Sequence, residues 1–235
     1  PQGKKQPIRK RKKATPSKNP QKSALPACIA RSNIELRDLQ TTVVQHMESN
    51  PALLVVHGTG CGKTLSAVTA SQCYLDSFPD NRVVFVGPAA LAANFRKEMR
   101  GYGVENEDRY KVFSFHGFFN HLRNTSSAKG SNSARADLKS ALVIVDEAHN
   151  LRNASSERSS VITEAVAGAQ KRLLLTATPY VNRLSDFNSL ITMLHGGKKK
   201  QKVSNRIAAK NLTRLRKMLT GKVHYADCQG CSDFP

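Results

Sequence analysis

"LLVVHGTGCGKTLSA", residues 53–67, joins two apolar segments through a stretch in which three glycines fall within five positions: Gly58, Gly60 and Gly62. The apolar run Leu53–Val56 stops at His57, and Lys63 and Thr64 close the loop before a stretch suited to a helix. Glycine reaches backbone conformations that other residues avoid. Several together let a loop curl with its N–H groups inward, and such a nest at the start of a helix holds anions. Lys63 adds a mobile positive charge, and the Thr64 hydroxyl is a ligand for a hard cation.

This is the pattern G-x-x-x-x-G-K-[ST] of a loop for nucleoside triphosphate and magnesium, with His57 where the first glycine usually stands. Taken alone, the stretch also reads as an ordinary glycine turn. The rest of the chain decides between them. In "VIVDEAH", residues 143–149, Asp146 ends an apolar strand and Glu147 follows directly. An aspartate there holds magnesium, and a carboxylate beside it can orient and deprotonate a water attacking a γ-phosphate. A solvated strand end would explain the pair by itself. It does not explain the pair together with the glycine loop.

The 235 residues suit one sizeable α/β domain with tails, and 39% of them are hydrophobic, enough for a core. No apolar run is long enough to span a membrane, and the lysine-rich start lacks the apolar core of a secretory signal. The five cysteines, at 28, 61, 73, 228 and 231, are scattered, which points away from a disulfide framework and towards a reducing, intracellular setting. Cys228 and Cys231 form a C-x-x-C with His224 nearby. No second cysteine pair follows, so a surface loop is preferred and zinc is a minor alternative.

The formal net charge is +20, and its placement is uneven. Residues 1–34 hold ten Lys or Arg and no acid, as do residues 196–225, while the remaining 17 basic residues balance all 17 acids. Two acid-free blocks on a neutral body point to a polyanion such as nucleic acid. Residues 1–33 read as a disordered basic tail. Arg9–Lys13 reads equally as a nuclear-import signal and as a nonspecific basic arm.

From residue 34 to 195 the pattern is orderly. Helices are expected over 35–49, 63–77, 89–101 (closed by Gly101) and 185–194. Strands are expected over 52–57, 82–88, 110–115, 141–150 and 172–179, with a small-residue loop at 124–136. Continuously apolar strands alternating with helices imply an α/β fold with a mostly parallel sheet covered on both faces. Ligands of such sheets bind at the carboxyl ends of the strands. Residues 196–235 read as a basic helical extension, with Val203, Ile207, Leu212, Leu215, Met218 and Leu219 as an apolar stripe.

"LTATP" (175–179) and "LRDLQ" (36–40) add two further matches, and with them residues 34–195 resemble superfamily 2 helicases and translocases. These are the DEAH-containing group with a RecA-like first domain, in which the first P-loop glycine is often missing. The resemblance implies the site. Gln40 would read adenine. Gly58, Thr59, Gly60, Cys61, Gly62 and Lys63 would cradle the phosphates of ATP. Thr64 and Asp146 would hold Mg²⁺, and Glu147 would be the general base. Thr176 and Thr178 match the motif coupling hydrolysis to movement, while Pro88, Leu91 and Asn94 lie where relatives touch the nucleic-acid backbone.

"GPAALAANFRKEM" (87–99) is similar to the remodelling and DNA-translocating branch, placing DNA ahead of RNA. "QCYLD", "DEAHNLRN", "TATPYVN" and "LTGKVHY" resemble helicases of large nucleocytoplasmic DNA viruses, of the poxvirus early-transcription-factor small-subunit type. That likeness implies a role in viral transcription beside RNA polymerase, in the virion or the host cytoplasm or nucleus. Such motors use two RecA-like domains, and only 57 residues follow Thr178. A second domain is therefore expected in a longer chain or another subunit, and the isolated chain is expected to turn over ATP slowly or not at all. A catalytically incomplete ATP-sensing, nucleic-acid-binding module is the alternative.

Overall fold

The computed structural model describes residues 26–127, 133–153, 155–179, 183–197, 203–204 and 209–228. In chain order the helices are α1 (Ala27–Ala30), α2 (Asp38–Ser49), α3 (Lys63–Ser77), α4 (Ala89–Tyr102), α5 (Phe115–Ser127), α6 (Ser133–Asp137), α7 (Glu157–Ala167), α8 (Phe187–Leu194) and α9 (Ala209–Leu219). The strands are β1 (Ala52–His57), β2 (Arg82–Gly87), β3 (Tyr110–Ser114), β4 (Ala141–Val145), β5 (Lys171–Thr176) and β6 (Val223–Ala226). They form one sheet in the order β3-β2-β4-β5-β1-β6, with every pairing parallel.

Side chains alternate across a strand, so each strand feeds two cores. Leu53, Val55, Val83, Phe85, Leu142, Ile144, Leu173 and Leu175 pack with α2, α3 and α4. Leu54, Val56, Val84, Val86, Val143, Val145 and Leu174 pack with α5, α7 and α8. Continuous apolar runs are what a sheet covered on both faces requires. Among the described residues, no helix is long and apolar enough to cross a membrane.

Several expectations change. Residues 26–33 do not belong to a tail: Cys28 and Ile29 are buried, Cys28 is disulfide-bonded to Cys73 of α3, and Arg31 holds both carboxylate oxygens of Asp76. Residues 1–25 lie outside the described residues. The four cysteines among the described residues, read as unpaired, form two disulfides, Cys28–Cys73 and Cys61–Cys228, because the fold brings together positions that are distant in sequence. Helix α4 runs past Gly101 because Tyr102 is buried, and it stops at Gly103, whose φ of 95° suits a left-handed cap. Residues 124–127 continue α5 and 133–137 form α6, where a loop is expected from their small side chains. Phe118 and Leu122, one helical turn apart, seat α5 on the sheet.

The segment after residue 196 is more than a helical extension. Helix α9 docks Leu215 and Met218 on Ile191 and Val203, while Leu212 remains exposed and Ile207 lies outside the described residues. The chain then adds β6 to the sheet beside β1, in register Val55 to His224.

Candidate functional site

Because all strands run the same way, their carboxyl ends share one edge, and four of the segments read from the sequence meet there. The glycine loop follows β1, Pro88–Asn94 follows β2, Asp146–His149 follows β4 and Thr176–Thr178 follows β5. Strand β5 lies between β4 and β1, so the two acids and the loop flank its end.

The loop is shaped by glycines where the backbone needs them. Gly60 and Gly62 have φ of 83° and 72°, and Gly62 caps α3 in the left-handed region. A Cβ on Gly62 would overlap Gln40 Nε2, so the α2 glutamine and the loop fit only because no side chain is there. Gln40 is 4% exposed; its Oε1 accepts from Arg37 N at 2.8 Å, and its Nε2 donates to Gly62 O at 3.4 Å. Lys63 opens α3, with Nζ donating to the carbonyls of His57 and Gly58 at 3.0 Å each. The lysine thus folds back on its own loop and can leave those carbonyls for an anion. Thr64 is half-buried on the same first turn of α3, and Thr59 is exposed on the loop.

Asp146 is 4% exposed. Burial pushes its carboxyl up to about 6; the Glu147 N–H, donating to Oδ1 at 2.9 Å, pulls it back, the Glu147 charge raises it, and Lys63 lowers it. A desolvated carboxylate that feels the charge of Lys63 suits a divalent cation. Glu147 is, among the described residues, the one non-glycine with positive φ, at 49°. Asn150 holds that conformation by donating from its N and its Nδ2 to Glu147 O, at 2.9 and 3.0 Å. Strained backbone of this kind gathers at functional sites.

His149 joins two of the segments. Its Nδ1 lies 3.1 Å from Glu147 Oε2 and 3.0 Å from Thr176 Oγ1, which also accepts from Thr178 N at 3.1 Å. Thr176 is fully buried and Thr178 exposed. No role for His149 is legible from the sequence, although it stands in the "DEAH" stretch; its neighbour in space, Thr176, is 27 residues away. Pro88 caps α4, Leu91 is half-buried on its first turn, and Asn94 is exposed on the helix, at the same sheet edge but behind β2.

Two further residues emerge only in the fold. His57 fills the place of the missing glycine, fully buried, with Nε2 2.7 Å from His224 Nδ1 of β6. Burial, then His224 and Lys63, hold His57 down to about 4, so it is neutral at ordinary pH. Cys228, whose minor alternative was a metal site with Cys231 and His224, is bonded to Cys61 of the loop; Cys231 lies outside the described residues.

A model of the SNF2-related domain matches residues 119–210. A protein of Acanthamoeba polyphaga mimivirus, provisionally named an ATP-dependent RNA helicase, is 30% identical over 164 residues, covering 70% of this chain and 33% of that protein. One of Heliothis virescens ascovirus 3e, with the same provisional name, is 29% identical, covering 60% of this chain and 17% of that protein. The chain thus spans a third or less of these relatives. The Sulfolobus solfataricus SWI2/SNF2 ATPase core, solved in complex with dsDNA, superposes with a TM-score of 0.67 at 15% identity, over 87% of this chain and 48% of that one. The chain thus has the RecA-like fold of that core, and its sequence is similar to those viral proteins provisionally named helicases.

Proposed function

We propose that this chain is the ATP-binding and hydrolysing half of a DNA translocase or helicase serving viral transcription. The observation that carries the reading is the meeting, at one sheet edge, of a left-handed glycine loop, Lys63, and the buried Asp146 that feels its charge. The loop backbone from Thr59 to Lys63 holds the phosphates, the Gly58 N–H being engaged by Ala226 O, and Lys63 exchanges its two carbonyl partners for the β- and γ-oxygens. Gln40, packed on Gly62, reads the adenine. Thr64 and the buried Asp146 fit Mg²⁺, which when bound neutralises charge on the phosphates. Glu147 orients water and takes its proton. His149, between Glu147 and Thr176, passes the state of that carboxylate to the Thr176–Thr178 segment.

Pro88, Leu91 and Asn94 lie on the nucleic-acid path. The Sulfolobus structure, which holds dsDNA, supports DNA as the substrate. The two acid-free basic blocks supply nonspecific affinity. A second RecA-like domain, in the same longer chain or another subunit, supplies a cation against the developing charge, a role worth about 10³–10⁵ in rate in other P-loop enzymes.

The test is calorimetric titration with Mg²⁺–ATP. Wild type binds and Lys63→Ala does not; equal affinity removes the cradle reading. Titration with duplex DNA and duplex RNA at stepped salt tests the substrate: DNA binds more tightly, with a steep salt dependence. Preference for RNA would remove the DNA assignment.

A further inference from the structure

Cys61 lies within the phosphate cradle, between the left-handed Gly60 and Gly62, and is 1% exposed. It is disulfide-bonded to Cys228, 167 residues later and two positions beyond β6. The chain around Cys228 runs along the back of the loop. Gly58 N donates to Ala226 O at 3.1 Å, and a Cβ on Gly58 would meet Asp227 Oδ1, Cys228 N and Cys61 Sγ, each at 3.7 Å. The loop is therefore gripped from two sides: Gln40 stands against Gly62, and the 226–228 segment stands behind Gly58 and is bonded to Cys61.

We propose that Cys61 and Cys228 form a thiol–disulfide site, reactive with dithiols, that sets the nucleotide affinity of the cradle. The inference rests on the cradle reading given above. A loop with three glycines has more backbone freedom than one of its length without them, and that freedom is lost when the N–H groups converge on phosphate. The tether removes part of it in advance, so the oxidised loop is preorganised and binds more tightly.

The exchange begins at Cys228, which is 8% exposed and follows the edge strand, against 1% for Cys61. One thiolate of the dithiol attacks the Cys228 sulfur, and Cys61 leaves as thiolate and takes a proton. The second thiol of the reagent then displaces Cys228, closing the reagent to its own disulfide. Two electrons and two protons pass from the dithiol to the protein pair. The other disulfide, Cys28–Cys73, provides an internal comparison. Cys73 lies ten residues beyond Lys63 on α3, about 15 Å along the helix, and Cys28 is on α1.

The experiment uses the full 235-residue chain. Alkylation and peptide mapping before and after dithiothreitol read the state of each cysteine. Calorimetry with Mg²⁺–ATP reads affinity in both states, at a temperature where a melting curve shows the reduced protein folded. Before reduction Cys61 resists labelling; after reduction both Cys61 and Cys228 are labelled, and Mg²⁺–ATP binds about tenfold more weakly. Cys228→Ser binds like the reduced protein and does not respond to dithiothreitol, whereas Cys28→Ser keeps the wild-type affinity and response. A tether serving stability alone lowers the melting temperature and leaves affinity equal in both states, which overturns the proposal, as does labelling of Cys61 before reduction. Absence of nucleotide binding in both states removes the cradle reading itself, and this inference with it.

Discussion

Replacing Gly62 by alanine tests the fit between α2 and the loop. Two costs are separable. Gly62 has φ of 72°, where an L-residue with a Cβ is disfavoured by roughly 1–2 kcal/mol. The new Cβ also falls far inside contact distance of Gln40 Nε2, so the amide must swing away, releasing its hold on Arg37 N at 2.8 Å. Loss of that half-buried hydrogen bond adds about 0.5–1.5 kcal/mol. Gly62→Ala is therefore expected to lose about 1.5–3.5 kcal/mol, the sum of these two estimates. Gln40→Ala clears the space, so on that background Gly62→Ala costs only its backbone share. A double-mutant cycle by urea denaturation should then show about 1 kcal/mol of coupling. Additivity of the two mutations within about 0.3–0.5 kcal/mol would refute the steric argument.

Glu147→Gln should leave Mg²⁺–ATP affinity unchanged, because it removes no metal ligand, while lowering turnover of the assembled two-domain motor by about 10²–10⁴, read in a steady-state phosphate-release assay. Turnover within a few-fold of wild type would show that Glu147 is not the base. Stability should fall with acid through His57, whose folded value near 4 lies below the ordinary 6.5. The unfolded chain binds the proton first, so the contribution is complete above about 6.5 and is lost towards 4, by at most about 3 kcal/mol. Urea midpoints at pH 7 and pH 4.5 should therefore drop less in His57→Gln than in wild type. Phe95→Ala removes a fully buried ring stacked on Phe85 at 4.2 Å and should cost about 3–5 kcal/mol by thermal or urea unfolding, since neighbours on the sheet face cannot close the cavity. A loss below about 1 kcal/mol would mean that this face of the sheet is loosely packed.

Sequence alone determined the features that repeat along the chain or must occur locally. The runs at 53–56, 83–86 and 141–145 are continuously apolar because both faces of the sheet are covered, and helix α3 matched its expected bounds because glycines precede it and Ser77 ends its pattern. The loop at 58–64 and the acids at 146–147 were legible as candidates because the phosphate and metal chemistry proposed for them demands particular residue types at fixed spacing. Helices α5 and α7 were not read, since α5 is rich in Asn, His and Ser and only burial of Phe118 and Leu122 holds it on the sheet. Strand β6 is four residues long, too short for a period to show, and it becomes a strand only because β1 offers an unpaired edge. The disulfides, the His57–His224 contact and the seat of His149 between Glu147 and Thr176 were decided by tertiary structure, because each joins residues whose nearness comes from how parallel strands are ordered in the sheet and how the loops beyond them meet, which local sequence does not encode.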